Sequence, residues 1–430
     1  MNYIANESDV LATVNDFLVF CDFLEQTKPF ATQKGDLSTK GCYEVNKLLN
    51  FKRENPKQID RMHQYPEVAL WFSVALEADL ITRTDVKGSK TIFIATEKYQ
   101  SFKQLDVFTK YMTIFSVWYC FVDIGAQYME RGVEYILRNL IDKVFIGLSK
   151  NGHISWIKNN GNSNTYDSLY GEHSVQLIME CCYKTGCVLR ALGLIEANES
   201  EKVSEYYNHP IFDQVRPTQF GCSITNACKT RKHAEFNIYA KHYISIDDIF
   251  NLVKADKPIE DNKEEFIIPF LYCFPEGSID KDAIYIMSYG HSNTDYDERI
   301  FDFKVSLGKK CYRIIRCTPQ HTFEDLHIAI QDAFNFDNDH LYSFYLDGKK
   351  YSDYAVSHPY SEIPPYADEV ALGDERLRNK QKILYLFDFG DMWQFDVRLN
   401  MQQNKDKVTY DKPVIIESVG ESPEQYSEYY

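Results

Sequence analysis

The sequence predicts a multidomain α+β protein: a mainly helical N-terminal region, followed by an α+β sandwich whose sheet is mainly antiparallel. Three observations support this prediction. A chain of 430 residues is too long for one ordinary hydrophobic core. Apolar residues recur at helical spacing in the first part of the chain, and they alternate with polar residues in several segments after residue 300. We therefore expect helices first and hairpins later.

Composition and charge restrict the classes of function. Hydrophobic residues at 44% and aromatic residues at 15% are typical of packed domains. A formal net charge of -16 disfavours general attraction to phosphate backbones, so nucleic acid is a disfavoured partner. No charged leader precedes an apolar segment at the start, and the longest apolar run, residues 111–124, is shorter than the roughly 20 residues of a membrane helix. We expect a cytoplasmic protein without a membrane span, and a buried helix at that run.

The cysteines give no sign of a metal site. Eleven of them are spaced irregularly, which favours reduced thiols over a disulfide framework. Only Cys181, Cys182 and Cys187 cluster, and they lack the C-x2-C pair that structural zinc sites usually show. We therefore predict core thiols here, and neither a metal nor a cofactor.

Residues 1–100 are typical of a winged-helix-like unit, with three helices followed by a hairpin. Residues 6–26 have apolar residues at helical spacing, and residues 37–51 begin a second helix. Pro66 is well placed to start the third helix, because a first-turn proline loses no needed hydrogen bond. Two β-rich segments, 80–86 and 91–95, then flank a turn at residues 87–90.

Residues 101–235 predict a helical region with a possible second winged-helix-like unit. A long helical pattern covers residues 102–148, and a further helix covers residues 174–191. Strand-like segments follow at 191–197 and 215–221. Residues 236–298 predict a connector around one apolar segment, FIIPFLYCF, and the last predicted domain covers residues 299–430.

A winged helix often binds DNA, but the residues here favour contact with protein. A recognition helix needs Arg, Lys, Asn or Gln directed at base edges and phosphates. The helix after Pro66 is mostly apolar, and its charges are Glu67, Glu77 and Asp79, so we expect it to be mostly buried. The compact basic run nearby contains Lys229, Arg231 and Lys232, which we interpret first as a solvated face.

The sequence of the last predicted domain indicates three hairpins and one helix. The first hairpin is FDFKVSL and CYRIIRC around Gly308, and the last is ILYLF and MWQFDVRL around DFGD. Between them, Thr322 and Asp325 form a capping-box pattern that starts a helix at Phe323. His327 follows Phe323 by four residues, beside the apolar stripe of this helix, so we expect it at the edge of the core. HLYSFYL and KKYSDYA flank the dipeptide Asp347-Gly348, which is typical of a hairpin turn.

Six longer segments occur in order after residue 300: FDFKVSLGKKCYRIIR, TFEDLHIAIQDAFNFDNDHLYSF, SHPY, DEVALGDERL, ILYLFDFGDMWQFDVRL and ESVGESPEQY. Together they resemble the plasmid pRiA4b ORF-3-like family, whose members include passenger proteins of bacterial insertion elements. The resemblance covers about residues 301–430. It implies a characteristic fold and an association with mobile or accessory genes, but no established reaction.

Several polar residues recur in the segments that carry the resemblance: His327, Asp339, His340, His358, Asp388, Asp391 and Trp393. One interpretation brings them into a single pocket, where two histidines and two carboxylates suit a divalent metal or an acid/base pair. The other makes them structural: Asp388 and Asp391 cap a tight turn, and His327 and His340 donate to nearby carbonyls. We favour the structural interpretation, because no dedicated metal motif accompanies these residues.

Three functions therefore remain open. The first is an interaction protein without catalytic activity, associated with plasmids, transposons or phage defence, whose partner is a protein. The second is a metal-dependent hydrolase or nuclease that uses His327, His340, Asp388 and Asp391. The third is DNA binding through the winged-helix-like region. The sequence has no Walker A motif, G-x-G-x-x-G or G-x-S-x-G, and its DFG at 388–390 lacks the other kinase motifs.

Overall fold

A computed structural model describes these residues: 3–32, 35–86, 90–122, 144–145, 148, 156–159, 179, 183–203, 210–228, 263–289, 299–308, 310–352, 355–361, 365–373, 375, 377, 379–404 and 408–426. The chain divides into two compact units. Unit 1 comprises Met1–Lys241 and Ile249–Gly290, and unit 2 comprises His242–Asp248 and His291–Tyr430. Helices and antiparallel sheets confirm the predicted multidomain α+β fold.

The described part of unit 1 is mainly helical. Its helices are α1 (Glu7–Thr27), α2 (Thr39–Asn46), α3 (Pro66–Glu77), α4 (Glu97–Gln104), α5 (Val107–Phe121), α6 (Tyr183–Ala191), α7 (Gln219–Cys228), α8 (Lys263–Leu271) and α9 (Lys281–Tyr289). Its strands are β1 (Ile81–Val86), β2 (Lys90–Ala95), β3 (Ile157–Lys158), β4 (Ile195–Val203) and β5 (Pro210–Pro217). β1 pairs with β2, and β5 lies between β3 and β4 in a second sheet.

The first five elements follow the predicted order of three helices and a hairpin. Asn6 caps α1 through a capping box with Asp9, and the Ser38 side chain accepts a bond at the start of α2. Pro66 is the first residue of α3, and β1 pairs antiparallel with β2. The element order is confirmed, whereas the assignment as a winged helix stays a prediction.

Helix α3 is buried along its whole length, as the sequence predicts for most of it. All twelve residues of Pro66–Glu77 are buried. It packs against α6, α5 and α1. A helix whose side chains are all covered by protein has none to present to a DNA groove, so α3 does not serve as a recognition helix in this structure.

The ends of α3 and α6 have the same geometry. Each helix is followed by a residue in the left-handed region, Asp79 with φ 52° and Gly193 with φ 73°. In each case the next residue donates a 2.9 Å backbone bond back to the helix, from Leu80 N to Ala75 O and from Leu194 N to Leu189 O. Equivalent caps indicate that unit 1 repeats one local structure.

The repeat continues where each hairpin returns. Thr96 donates from its backbone N to Leu80 O at 3.0 Å, and Thr218 donates in the same way to Leu194 O at 3.0 Å. Each threonine hydroxyl also donates to the carbonyl of the left-handed residue, at 2.7 Å in both copies. A second helix–hairpin segment is therefore present, but its returning strand is β5 at Pro210–Pro217 and not the predicted 215–221, because α7 already begins at Gln219.

The core of unit 1 includes α5 and the two helices α8 and α9. Phe115 of α5 contacts Phe270 of α8, with ring centroids 5.4 Å apart. Helix α9 packs against α5. Residues 263–289, which fall inside the predicted connector, thus pack into this core. The apolar run is buried as predicted, up to Val122, and no helix within the described ranges has the length and apolar character to span a bilayer.

Unit 2 is built on a seven-stranded antiparallel sheet. Its strands are β6 (Arg299–Leu307), β7 (Cys311–Cys317), β8 (Tyr342–Tyr345), β9 (Ala355–Ser357), β10 (Lys382–Phe387), β11 (Trp393–Gln403) and β12 (Val414–Val419). Their order across the sheet is β12-β7-β6-β11-β10-β8-β9. The helix α10 (Phe323–Phe334) packs against β7 and β12. The predicted sandwich with a mainly antiparallel sheet is confirmed.

Two of the three predicted hairpins match the structure, and the third differs in its second strand. β6 pairs with β7, and β10 pairs with β11 from Phe387↔Trp393 onward. The hairpin at Asp347-Gly348 is real, but β9 begins at Ala355 and not at residue 349. The Asp347 carboxylate accepts bonds from Lys349 N and Ser352 Oγ, which hold the chain in turns before the strand can form.

Candidate functional site

The start of α10 is fixed from two directions. Thr322 and Asp325 form the predicted capping box. The backbone N–H groups of Phe323 and Glu324 donate to two carbonyls, Val370 O in the DEVALGDERL segment at 3.1 Å and Ala367 O just before that segment at 2.9 Å. The helix start is therefore held rigidly, and this holds His327, in the next turn, against the sheet.

His327 lies in the core and not at its edge. Its side chain is buried, with Nε2 2.7 Å from Asn338 Oδ1 and Nδ1 2.7 Å from the Tyr385 hydroxyl. An amide oxygen can only accept, so Nε2 carries the proton and Tyr385 donates to Nδ1. Gln331 Nε2 in turn donates to the Tyr385 oxygen at 2.7 Å. The hydrogen bonds thus select one neutral tautomer.

Burial lowers the pKa of His327 to about 4. The hydrogen bond to Asn338 raises this pKa, and the nearby His358 lowers it, but burial is the largest cause. The imidazole is therefore neutral at pH 7, and both its nitrogens have partners. Neither nitrogen is available to a metal ion or a substrate without the loss of one of these hydrogen bonds.

Tyr342 lies between the two histidines of this group. Its ring stacks on His327, with centroids 3.7 Å apart and planes 14° apart, and His358 meets it edge-on at 4.9 Å. The Tyr342 hydroxyl is buried and has no hydrogen-bond partner among the described residues. Burial raises the pKa of Tyr342, and the carboxylates of Glu324 and Asp368 raise it further. The phenol is therefore held neutral.

His358 is tied to the backbone around it. Its Nδ1 accepts from Tyr360 N, and its own N donates to Tyr342 O, both at 3.0 Å. Burial lowers the pKa of His358, and the charge of Asp368 opposes that shift. Burial raises the pKa of Glu324, and the charges of Asp368 and Asp325 raise it further. The charge of Asp368 therefore acts on Tyr342, on His358 and on Glu324.

A second group of the predicted residues lies at the surface. His340 Nε2 is 3.4 Å from Asp388 Oδ2 and 3.8 Å from Asp339 Oδ1. The Tyr426 hydroxyl donates to Asp339, with oxygen distances of 2.8 and 2.7 Å. That hydrogen bond, with the charge of Asp339 and burial, raises the pKa of Tyr426 to about 12. Tyr426 is thus held on the loop before β8.

The turn between β10 and β11 holds the remaining candidates. Asp388 has φ 56°, and its Oδ1 accepts from Gly390 N at 2.8 Å and Asp391 N at 3.3 Å. Asp391 is exposed. Trp393 packs edge-on against Phe336 at 4.9 Å, and its Nε1 is buried without a partner among the described residues. Asp388 therefore closes the turn in the way that short aspartate side chains commonly do.

The seven candidates thus form two groups and not one pocket. The ring of Phe387 contacts His327 at 6.1 Å and His340 at 6.2 Å, so it lies between the groups. Within the described part of the chain, no three His, Cys, Asp or Glu side chains are placed to hold a metal ion. Two further sets of predicted residues lie outside the described ranges: Lys229, Arg231 and Lys232, and Cys181 with Cys182.

Sequence reasoning missed the partners that define the buried group, which are Tyr342, Tyr385, Asn338, Gln331, Glu324 and Asp368. Gln331 follows His327 by four residues, so both lie on one face of α10, and this spacing was a usable signal. Tyr385 and Tyr342 come from β10 and β8, which pair directly. A pairing between strands 43 residues apart in sequence leaves no local pattern.

The edge strand β12 is a surface that sequence reasoning also missed. It pairs with β7, and no strand within the described ranges pairs with its other side. All six of its residues are exposed, including Val414 at 39%, Ile415 at 42%, Ile416 at 44% and Val419 at 38%. The register shifts at Ile416, which marks a β-bulge. The sequence signal that could have predicted this strand is the run of β-branched residues that starts after Pro413.

Arg313 fixes the end of this strand. Its guanidinium donates to Val419 O at 3.0 Å, to Gly420 O at 3.1 Å and to Ser422 Oγ at 2.8 Å. Its Nε also donates to Ala333 O of α10, and the group lies over the ring of Phe334. One buried cation therefore joins β12 to the helix, so the exposed strand has a defined position.

Comparison with known proteins agrees with the resemblance seen in the sequence. Residues 299–427 match the family model of plasmid pRiA4b ORF-3-like protein, which confirms the resemblance for the C-terminal part of the chain. A solved structure, a protein of unknown function from Methanosarcina mazei Go1, is 28% identical and has a TM-score of 0.24. The match covers 29% of this chain and 72% of that one. No curated protein matches.

Proposed function

We propose that this protein is a binding protein without catalytic activity, which takes an extended segment of a partner polypeptide along the free side of β12. One observation carries the proposal: an edge strand of the large sheet leaves four apolar side chains exposed in six residues. Such an edge presents unpaired backbone N–H and C=O groups to an incoming strand. Backbone pairing would supply affinity, and the valine and isoleucine side chains would supply selectivity.

The proposed partner is a different protein and not a second copy of this chain. The net charge of -16 makes two copies repel each other at low ionic strength. A neutral or basic partner meets no such barrier. The bulge at Ile416 also disfavours regular pairing with an identical edge, because bulges interrupt the ladder.

The proposal extends to the setting of the protein. We place it in the cytoplasm, a choice supported by the free thiols of all nine cysteines in the described residues. We also propose an association with plasmids or other mobile DNA, which rests on the name of the matching family. Genes for plasmid maintenance, transposition or phage defence beside the coding sequence would support this association, and housekeeping neighbours in several genomes would contradict it.

The binding proposal is tested with a photo-reactive amino acid at position 416 of the full chain. The matched control carries the same amino acid at position 328 on α10, because Ile416 and Ile328 are both isoleucine and both 44% exposed. We expect position 416 to capture a defined protein and position 328 to capture none. Peptides that tile the captured protein are then measured by calorimetry against Ile416→Lys and Ile328→Lys.

The expected result is one apolar peptide that binds the wild-type chain and the Ile328→Lys variant equally, and the Ile416→Lys variant at least about tenfold more weakly, or about 1.4 kcal/mol. Equal binding by both variants would reject the strand edge as the contact. Capture at neither position, together with turnover in a substrate screen, would reject the function itself.

A further inference from the structure

Unit 1 contains a cleft of about 460 Å³ that is separate from the proposed strand edge. The first two turns of α1, the start of β4 and the residue before β3 surround it. Its lining includes the apolar side chains of Phe51, Trp156 and Ile195 and the polar side chains of Asp9, Glu196 and Asn198. A cleft lined by apolar side chains and a few polar groups is the usual form of a ligand site.

The cation that lines this cleft is already neutralised. Arg190 NH1 lies 3.0 Å from Glu199 Oε1, and its NH2 lies 3.2 Å from Glu67 Oε1. Burial raises the pKa of Glu67, whereas Arg190 lowers it. Two carboxylates therefore surround one guanidinium, so Arg190 offers no net positive charge to an anionic ligand.

Asp9 supplies a negative charge without a cationic partner. Its Oδ2 accepts from the Tyr3 hydroxyl and from Asn6 N, both at 2.8 Å. No Lys, Arg or His of the described residues forms an ion pair with it. The cleft therefore favours a ligand with a positive charge.

The chain itself shows which cation suits these walls. The guanidinium of Arg216 lies over the ring of Trp156, 4.6 Å from the centroid. Its Nε and NH2 donate to Glu196 Oε2 at 2.9 and 2.6 Å. Trp156 and Glu196 both line the cleft, so an indole and a carboxylate there already hold a planar cation.

We propose that the cleft binds an arginine side chain of a basic partner polypeptide. Asp9 pairs with the guanidinium, and Phe51 and Trp156 cover the methylene stem. The net charge of -16 steers such a partner toward the protein. This site lies on unit 1 and does not depend on β12, so variants of the two surfaces separate their contributions.

The test compares acetyl-arginine amide with acetyl-citrulline amide, which has nearly the same shape and no charge. We expect the arginine probe to bind the full chain with a Kd on the order of 1 mM, more weakly as salt rises, and the citrulline probe not to bind. Calorimetry and the intrinsic tryptophan fluorescence, to which Trp156 contributes as one of four tryptophans, are the readouts. Asp9→Asn should weaken binding about tenfold, because it removes the charge and keeps the oxygen that Asn6 N needs.

Glu7→Gln is the matched control, because Glu7 is an exposed carboxylate of the same helical turn that does not line the cleft. We expect this variant to bind like the wild type. Circular dichroism checks that both variants keep the helices. Equal binding of the two probes, equal weakening by the two variants, or no binding at 20-fold the expected Kd would overturn the proposal.

Discussion

Unit 2 contains two contrasting regions. One has polar side chains in the interior, and the other has apolar side chains on the surface of the edge strand. In the interior, the buried side chains of His327, Tyr385 and Gln331 form a chain of hydrogen bonds that ends on the exposed Asn338. At the edge, the valine and isoleucine side chains of β12 are exposed. Both regions reverse the usual distribution, and this difference separates residues that hold the fold from residues available for contact.

Polarity alone therefore does not identify a functional residue. A buried imidazole with two partners stabilises the packing around it and has no free nitrogen to use. An exposed apolar strand stabilises little of its own chain and offers backbone groups to another. The buried polar residues of the domain therefore stabilise its fold. The exposed valine and isoleucine residues of β12, which are chemically unreactive, form the proposed binding surface.

The largest effect should come from His327→Ala. The change leaves a cavity and removes the partners of Asn338 and Tyr385, so we expect a loss of about 3 kcal/mol in stability. Hydrogen exchange of the α10 amides in the full chain measures this loss locally. His340→Ala at the surface is the control and should change the same exchange by less than about 0.5 kcal/mol. Equal effects would show that burial does not separate the two histidines.

Acid should weaken unit 2 through the same imidazole. Because the pKa of His327 is about 4 when folded and 6.5 ordinarily, the unfolded chain takes up a proton first as the pH falls. Stability should therefore drop by about 3 kcal/mol between pH 6.5 and pH 4. The variant His327→Gln has no imidazole to titrate, so it should lose this part of the pH dependence of stability. The measurement is the hydrogen exchange of the α10 amides in both proteins as a function of pH. Parallel pH curves for the two proteins would contradict a buried neutral histidine.

Two tyrosines in contact with His327 should respond differently to loss of their hydroxyl groups. Tyr385→Phe removes a hydroxyl with two partners and should cost about 1–2 kcal/mol. Tyr342→Phe removes a hydroxyl without a partner among the described residues, so it should be neutral or stabilising. Hydrogen exchange of the α10 and β10 amides measures the change in stability for both variants. A larger loss for Tyr342→Phe would mean that its hydroxyl has an important partner in the folded protein.

The smallest effect should follow Tyr426→Phe. The change removes the bonds to Asp339 at the surface, and exposed bonds of this kind contribute little. We expect a few-fold faster exchange in residues 420–426 and no change in α10. Tyr360→Phe, at an 86% exposed position, is the control and should leave both segments unchanged.

The sequence predicted the local structure of unit 2 well and its contacts poorly. The capping box at Thr322, the hairpin turns and the alternation in β11 depend on near neighbours, and these elements are present. The approach of Tyr385 to His327 depends on strand order and on the register of β10 against β8. No segment of the sequence encodes that order by itself.

The candidate residues illustrate the same limit. Asp388 was interpreted correctly as a turn residue, because an aspartate before Phe-Gly in a hairpin acts locally. His327 was placed at the edge of the core, and the structure buries it, because Tyr342 and Phe387 arrive from distant strands. β12 was missed because the short apolar run Val414–Ile416 near the C-terminus fits a buried strand equally well.

The most direct test of the central claim is the exchange of the β12 amides with and without the captured partner. Backbone pairing to the free side of the strand predicts at least tenfold slower exchange in residues 414–419, with α10 unchanged. Unchanged exchange in residues 414–419 in a saturated complex would contradict the claim and move the binding surface elsewhere.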